Sequence, residues 1–323
     1  AYNNMKDAAI GVGTSELHGI SCNRNFPDEP VDTQLGVFKV EDEDGGLIAA
    51  LYNFAIHGVD VGGQYLLWTT GFPGFAAKIV EGAYPGSKCM FLQGAEGDVH
   101  PWDWWFRNDK SKYEATYEDS ERLGRIMGSE VLKVLQTIET EKDVELNSIS
   151  KMVVLPAREK YYGWPLDEVE MVYKEVKAKY KRWPGPAGPS DVSTATLALK
   201  YPGNYTLGMI ERIRDEAQGK VKLGDIPAEL QVFKIGDMKL VAVPGELFNQ
   251  LGAEIKKSAP NTFCLACANA SIVGYIPTKK LTNIVKEAAR TWPLRDYVDQ
   301  SKIRKYYGAT GARVSGEAGE IVV

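Results

Sequence analysis

Histidine and cysteine are both scarce in this chain of 323 residues, which holds three of the first and four of the second. Four cysteines, Cys22, Cys89, Cys264 and Cys267, are too few to staple a chain of this length, so no disulfide scaffold is expected and the redox compartment stays open. Cys264 and Cys267 form a lone CxxC within NTFCLACANA. With no second CxxC and no HxxxH to complete a zinc site, they read as residues of a buried strand. No apolar run approaches the roughly 20 residues needed to cross a bilayer, so no transmembrane segment is expected. Repeats and low-complexity tracts are also lacking. There is no excess of positive charge either. A net charge of -5 with interspersed signs argues against a nucleic-acid binder, which needs Lys and Arg clustered on one face. The nearest cluster, KAKYKRW at residues 177 to 183, interleaves with EVEMVYKEVK at helical spacing and reads as a solvated helix face. The chain starts at Ala1 without the charged and apolar regions of a signal peptide. That reads as a processed start, and a secreted or periplasmic setting is favoured over a cytoplasmic one. Sequons at Asn204 and Asn269 count only for a chain secreted by a eukaryote.

What is present is ordinary globular composition, 44% hydrophobic and 25% charged, enough to bury a core. AAIGVGTSELHGISCNRNF begins as a strand and runs into a loop. VFKVEDEDGGLIAALYNFAIHG reads as two strands joined by the acidic-Gly turn at residues 42 to 46, a hairpin that delivers His57 at its far end. A helix over FAAKIVEGAYPG and a strand at KCMFLQ follow, and this strand, helix, strand order predicts a parallel pair. Residues 119 to 138 form an amphipathic helix with a charged first turn. Beyond a strand at SISKMVVLPAR and a polar helix at LDEVEMVYKEVKAKYKRW, the Pro/Gly cluster at residues 183 to 190 is the best linker candidate, bounding an excursion rather than a domain. ELQVFKIGDMKLVAVPGELF then reads as a second hairpin, and FNQLGAEIKKSA as a helix. These elements predict one large α/β domain of mixed β-sheets flanked by helices.

Four features could carry chemistry. His57 closes an apolar strand and hands over to Gly58, where α/β folds place functional groups; taken alone it reads more readily as a core or surface histidine. His100 follows another strand in the Gly-rich loop LQGAEGDVHPW, which also carries Glu96 and Asp98. Asp98 could orient the imidazole or merely cap the turn. Glu246 ends the apolar strand KLVAVPG at the expected start of a helix, where it could favour the helix dipole or ligate a metal. Trp102, Trp104 and Trp105, in WDWWF, could wall a lipid, aromatic or sugar substrate, or pack inside.

In order, FAIHGVDVGGQYLLWTTGFPGFAAKIVE, MFLQGAEGDVHP, VAVPGELFNQLGAEI and ANASIVGYIPT resemble the N-terminal catalytic domain of the neutral, non-lysosomal ceramidases and their shorter bacterial relatives. The resemblance runs over about residues 8 to 320, with a weak stretch in the middle. It implies a zinc-dependent hydrolase of an amide or related carbon-nitrogen bond acting on a small-molecule or lipid-like substrate. His57, Glu246 and Tyr275 would hold the zinc; His100, where the sequence departs from the family, is read as moving protons, with Asp98 orienting it. Without the resemblance, Tyr275 would be taken for a core aromatic.

Three departures stand out. The family's other histidine ligand lies upstream of Ala1, so a cleaved or separate N-terminal polypeptide is expected to supply it, unless the ligand or the metal has been lost. His100 occupies the place of a family serine, in GDVHP instead of a GDVSP-like loop. Gly71 stands where the family has an acidic residue. The chain ends near EAGEIV, so the C-terminal domain of the longer ceramidases is expected to be absent. Two rivals are kept: a sugar or ester hydrolase on the same site, and a metal-free, non-catalytic subunit of a complex. An oligomer is compatible with all of these.

Overall fold

The computed structural model describes residues 5 to 61, 68 to 101, 115 to 158, 164 to 181, 203 to 221, 223 to 269, 273 to 299 and 306 to 323. The expected linker and the tryptophans of WDWWF lie outside these residues. Strand β1 (Ala9–Glu16) is followed by the short β2 (Ser21–Asn23), and β3 (Gln34–Glu41) turns back into β4 (Leu47–Phe54) as the expected hairpin. Helix α1 (Gly71–Ala83) then carries the chain over to β5 (Lys88–Gln93), which pairs parallel with β4. The resulting sheet has the order β1-β3-β4-β5. After β6 (Val99–Pro101), helix α2 (Tyr117–Leu135) packs with α1 over that sheet. Its first turn is fixed by a reciprocal cap, in which the Thr116 hydroxyl accepts from the Asp119 amide and the Asp119 carboxylate accepts from the Thr116 amide.

The second half repeats the plan with different connectivity. Strand β7 (Leu146–Leu155) leads to α3 (Leu166–Lys179) and α4 (Asn204–Ala217), then to the hairpin β8 (Ile226–Ile235) and β9 (Met238–Ala242). The two-residue strand β10 (Glu246–Leu247), helix α5 (Asn249–Lys257) and β11 (Thr262–Leu265) follow, and β11 pairs parallel with β9. This sheet has the order β11-β9-β8-β7. The last elements are β12 (Tyr275–Ile276) and helices α6 (Lys279–Thr291), α7 (Leu294–Val298), α8 (Tyr307–Gly311) and α9 (Glu317–Val322).

Strand periodicity explains how the two sheets combine. Along β3 and β4, Leu35, Val37, Ala50, Tyr52 and Phe54 face the helices α1 and α2, where they meet Phe72, Val80, Met127 and Val131. The alternate residues Phe38 and Leu51 face the other sheet, where they meet Met238, Leu240 and Phe263. Phe38 and Phe263 cross edge to face with ring centroids 4.9 Å apart. Gly36 is the close-approach point of this seam, since a Cβ there would stand 2.3 Å from the Phe263 ring. On its far side the second sheet buries Val243, Cys264 and Leu155 against Val172, Ile210, Leu251 and Val285 of α3 to α6. The layers are therefore helix, sheet, sheet, helix, which is the expected α/β class with the two sheets packed face to face. Buried Asn53 stitches the seam, its side-chain amide donating to the Leu92 carbonyl in its own sheet and the Cys264 carbonyl in the other, both at 2.9 Å.

Two local expectations are corrected. Glu246 does not open a helix: it lies in β10, and α5 starts at Asn249, because the backbone of Glu246 and Leu247 pairs parallel with Tyr275 and Ile276. Cys267 is not a strand residue, since β11 ends at Leu265 and Cys267 turns out of the sheet with a φ of 54°. Among the described residues, no helix is long and apolar enough to cross a membrane.

Candidate metal centre

Each sheet contains one parallel pair, and both pairs send their carboxyl ends to the same place. Phe54 pairs with Gln93 at the ends of β4 and β5, and Ala242 pairs with Leu265 at the ends of β9 and β11. The two pairs touch across the seam, where the Ala266 amide donates to the Gln93 carbonyl at 2.9 Å. His57 lies just beyond β4, Glu96 just beyond β5, Glu246 just beyond β9 and Cys267 just beyond β11. Four loops from two sheets thus converge outside the carboxyl ends of their strands, the crevice in which open α/β sheets hold ligands.

Backbone contacts fix these loops. The His57 amide donates to the Val99 carbonyl at 3.0 Å, and the Gly97 amide to the Leu247 carbonyl at 2.8 Å. Gly97 has no room for a side chain, since a Cβ would stand 2.6 Å from the Glu246 carbonyl oxygen. The loop of Glu96 can therefore lie directly against β10. In the parallel register Glu246 is the partner of Tyr275, which puts both side chains on one face of the ladder.

At the centre, one ligand atom each from His57, Glu96 and Glu246 lies within 4.8 Å of the other two. His57 Nε2 stands 3.8 Å from a Glu246 carboxylate oxygen. The ring also bonds the Gly97 backbone, and because Nε2 has no hydrogen-bond partner, Nδ1 makes that bond. This is the posture of a metal-ligating histidine, with one nitrogen tied to a carbonyl and the other presented bare. Burial, reinforced by the Arg24 charge, pushes the His57 pKa down to about 3 from 6.5, so the imidazole is neutral. Glu96 is buried, with Oε1 accepting from the Cys267 thiol at 3.2 Å and Oε2 without a partner. Its pKa is pushed up to about 8 by burial, with the Glu246 charge adding to the rise. Burial of this kind without a partner is costly for a polar atom. Here two such atoms belong to one cluster with a third donor, an arrangement that a divalent cation satisfies.

The remaining groups form a wall beside this cluster. The Tyr275 ring lies 6.2 Å from that of His57, and its hydroxyl is bonded to both Arg24 and Glu246. Burial holds the phenol protonated, well above its ordinary range. The Arg24 guanidinium, itself buried, sits 5.0 Å above the Tyr275 ring centroid and donates to the Gly97 carbonyl at 2.7 Å. It also lies 2.9 Å from His100 Nε2. Arginine has no acceptor, so Nε2 accepts and the His100 proton resides on Nδ1. The rings of His57 and His100 are 5.1 Å apart. Asp98 is fully enclosed and takes hydrogen bonds from the Asn23 side chain at 2.7 Å and the Asn249 amide at 2.8 Å. It fastens the 96–100 loop to β2 and to the start of α5, while His100 is engaged by Arg24.

The structure therefore brings together His57, Glu246, Tyr275 and His100, with Asp98 behind them. It adds Arg24, which the sequence did not single out, Cys267, which the sequence placed in a buried strand, and Glu96 as a donor. Glu96 carried the same signal as His57, a polar side chain just past an apolar strand. Arg24 sits in CNRNF with no signal of its own, since its partners lie about 75 residues and 250 residues further along the chain. His18 is exposed.

No protein-family model and no curated protein matches the chain. Solved structures are similar to it, and two of them are ceramidases. Neutral ceramidase from Pseudomonas aeruginosa superposes with a TM-score of 0.59 at 16% identity, over 98% of this chain and 50% of that one. A ceramidase complexed with C2 does so with a TM-score of 0.58 at 16% identity, over 98% and 52%. The chain thus spans about half the length of the structures it matches, and over that half it has the ceramidase fold.

Proposed function

We propose that the chain is a metal-dependent hydrolase of an amide or related carbon-nitrogen bond, ceramidase-like in its choice of a lipid-like substrate. The observation that carries this is the convergence of His57, Glu96 and Glu246 donor atoms within 4.8 Å of one another, at the strand ends of a fold shared with ceramidases. His57 through Nε2, Glu246 through its carboxylate and Tyr275 through its hydroxyl are the groups proposed to hold zinc. When bound, zinc supplies a Lewis acid that polarises a carbonyl and acidifies water.

The protein's own groups do the rest. His57 is kept neutral and correctly turned by its bond to Gly97. Arg24 presents a permanent positive charge beside the cluster, where negative charge developing on a carbonyl oxygen is stabilised. His100 is the proton carrier: it accepts a proton at Nε2 once that nitrogen is released from Arg24, and as the imidazolium gives one up from Nδ1. Asp98 acts as a positioning residue by anchoring the loop of Glu96 and His100.

The test is hydrolysis of a panel comprising a short-chain ceramide, an N-acyl amino acid, a nitrophenyl ester and a nitrophenyl glycoside, each with chelator and with zinc restored. Amide cleavage that chelator abolishes and zinc restores is expected, together with loss of bound zinc in His57→Ala, because one lost ligand leaves too few donors. Cleavage of the ester or glycoside alone would replace the proposed class. Absence of any transition metal in the purified protein, with no uptake on addition, would end it.

A further inference from the structure

We propose that Glu96 is itself a metal ligand, so that this chain supplies a complete donor set, His57 Nε2, Glu96 Oε2 and a Glu246 carboxylate oxygen, with Tyr275 at its side. This rests on the metal-site reading above and changes its composition. The ceramidase resemblance implies a second histidine in the ligand set. The geometry instead points to a carboxylate already inside the chain.

Three observations meet on Glu96. Its position is dictated by the fold: β5 pairs with β4, and both touch β11 across the seam, through Asn53 to the Cys264 carbonyl and the Ala266 amide to the Gln93 carbonyl, so the residues following β4, β5 and β11 are gathered together. Its two oxygens are differentiated. Oε1 is occupied by the Cys267 thiol at 3.2 Å, while Oε2 is buried and has no hydrogen-bond partner. Its neighbours are a second bare donor, His57 Nε2, and a second carboxylate, Glu246, close enough to repel it. Once Glu96 is ionised, two carboxylates packed together with a neutral imidazole carry an excess of negative charge and of lone pairs. A divalent cation compensates both.

The set that results, one nitrogen and two carboxylate oxygens, suits a borderline first-row divalent ion. It leaves coordination positions for Tyr275, water or a substrate oxygen. Cys267 then has a defined part as a positioning residue. Its thiol holds Oε1 and leaves Oε2 unengaged, the kind of outer contact that metal sites use to orient a ligand. No second polypeptide is needed for one equivalent of metal to bind.

The experiment is titration of the chelator-treated, full chain with zinc chloride alone, followed by calorimetry and by thermal shift, and repeated with cobalt chloride to record its visible spectrum. The wild-type chain is expected to take up one zinc per chain without any added fragment. Glu96→Gln is nearly isosteric and should fold, which its metal-free unfolding temperature checks. It should weaken zinc binding by roughly a hundredfold or more, beyond the 10- to 100-fold that outer contacts are worth, and should change the cobalt spectrum. Glu96→Asp, which keeps the charge but withdraws the oxygen, should also weaken binding. Cys267→Ala should cost about tenfold with the cobalt spectrum preserved, and Cys267→Ser, which restores a donor, should recover most of it.

Zinc binding lost in His57→Ala and Glu246→Gln but unchanged in Glu96→Gln would overturn the assignment of Glu96 and leave the metal-site reading standing. A requirement for an added N-terminal fragment would also overturn the self-contained set. No zinc uptake by the wild-type chain would overturn both.

Discussion

Glu96 and His57 lie side by side yet are displaced in opposite directions by the same burial. His57 is held at about 3, below its ordinary 6.5, and Glu96 at about 8, above its ordinary 4.5, each mainly because the charged form is cut off from water. Both groups are neutral over a wide range in the metal-free protein, so a cation taken up through Glu96 displaces a proton. The sign of the pH dependence follows for the metal-free protein. The unfolded chain protonates His57 below 6.5 while the folded one does so only near 3, so this contribution is lost as pH falls from 6.5 towards 3. The unfolded chain ionises Glu96 above 4.5 while the folded one does so only near 8, so this contribution is lost as pH rises from 4.5 towards 8. The two cancel between 4.5 and 6.5. Urea midpoints of the metal-free protein should therefore show a plateau there, a decline on the acid side below 4.5, and a decline between 6.5 and 8 that Glu96→Gln removes. A midpoint that rises between 6.5 and 8 would contradict the burial of Glu96.

The elements contribute unequally to site and stability, and this can be separated experimentally. Thr116 caps α2 on the outer helical layer through its reciprocal bonds with Asp119. Thr116→Ala should lower stability by about 0.5–2 kcal/mol and leave zinc affinity unchanged, since α2 sends no residue to the cluster. Gly97, by contrast, lies between β10 and the Glu96 loop, with the Glu246 carbonyl 2.6 Å from where a Cβ would be. Gly97→Ala must push that loop away from β10, at a cost on the order of 1–3 kcal/mol, and should weaken zinc binding by separating Glu96 from Glu246. Equal affinities for Gly97→Ala and wild type would show that the loop accommodates the methyl group without moving the donors.

Across the whole molecule the site depends on the seam between the sheets, because His57 and Glu96 come from one sheet and Glu246 and Cys267 from the other. Asn53 is the polar stitch in that seam, and Phe38 with Phe263 is the apolar one. Asn53→Ala leaves two buried carbonyls without their donor, at about 1–3 kcal/mol each. It should lower the unfolding free energy and zinc affinity together, as read by urea denaturation and calorimetry. A fall in stability with affinity intact would mean that the loops hold their geometry independently of the seam.

Local chemistry determined much of this. The acidic-Gly turn at residues 42 to 46 and the strands beside it set the hairpin ending at His57. The apolar runs KCMFLQ and KLVAVPG set two more strand ends, and helical periodicity set α1 and α2. These are short-range effects of side-chain alternation and turn residues, so they can be read from the sequence. Only the tertiary structure decided that Glu246 belongs to a strand, through its ladder with Tyr275. Only the tertiary structure turned Cys267 out of β11 onto Glu96, wedged Arg24 between His100 and Tyr275, and made a donor of Glu96. Those contacts join residues some 40 to 250 positions apart, and their partners are fixed by which sheet faces which, a choice made by the packing of the two inner faces rather than by any local pattern.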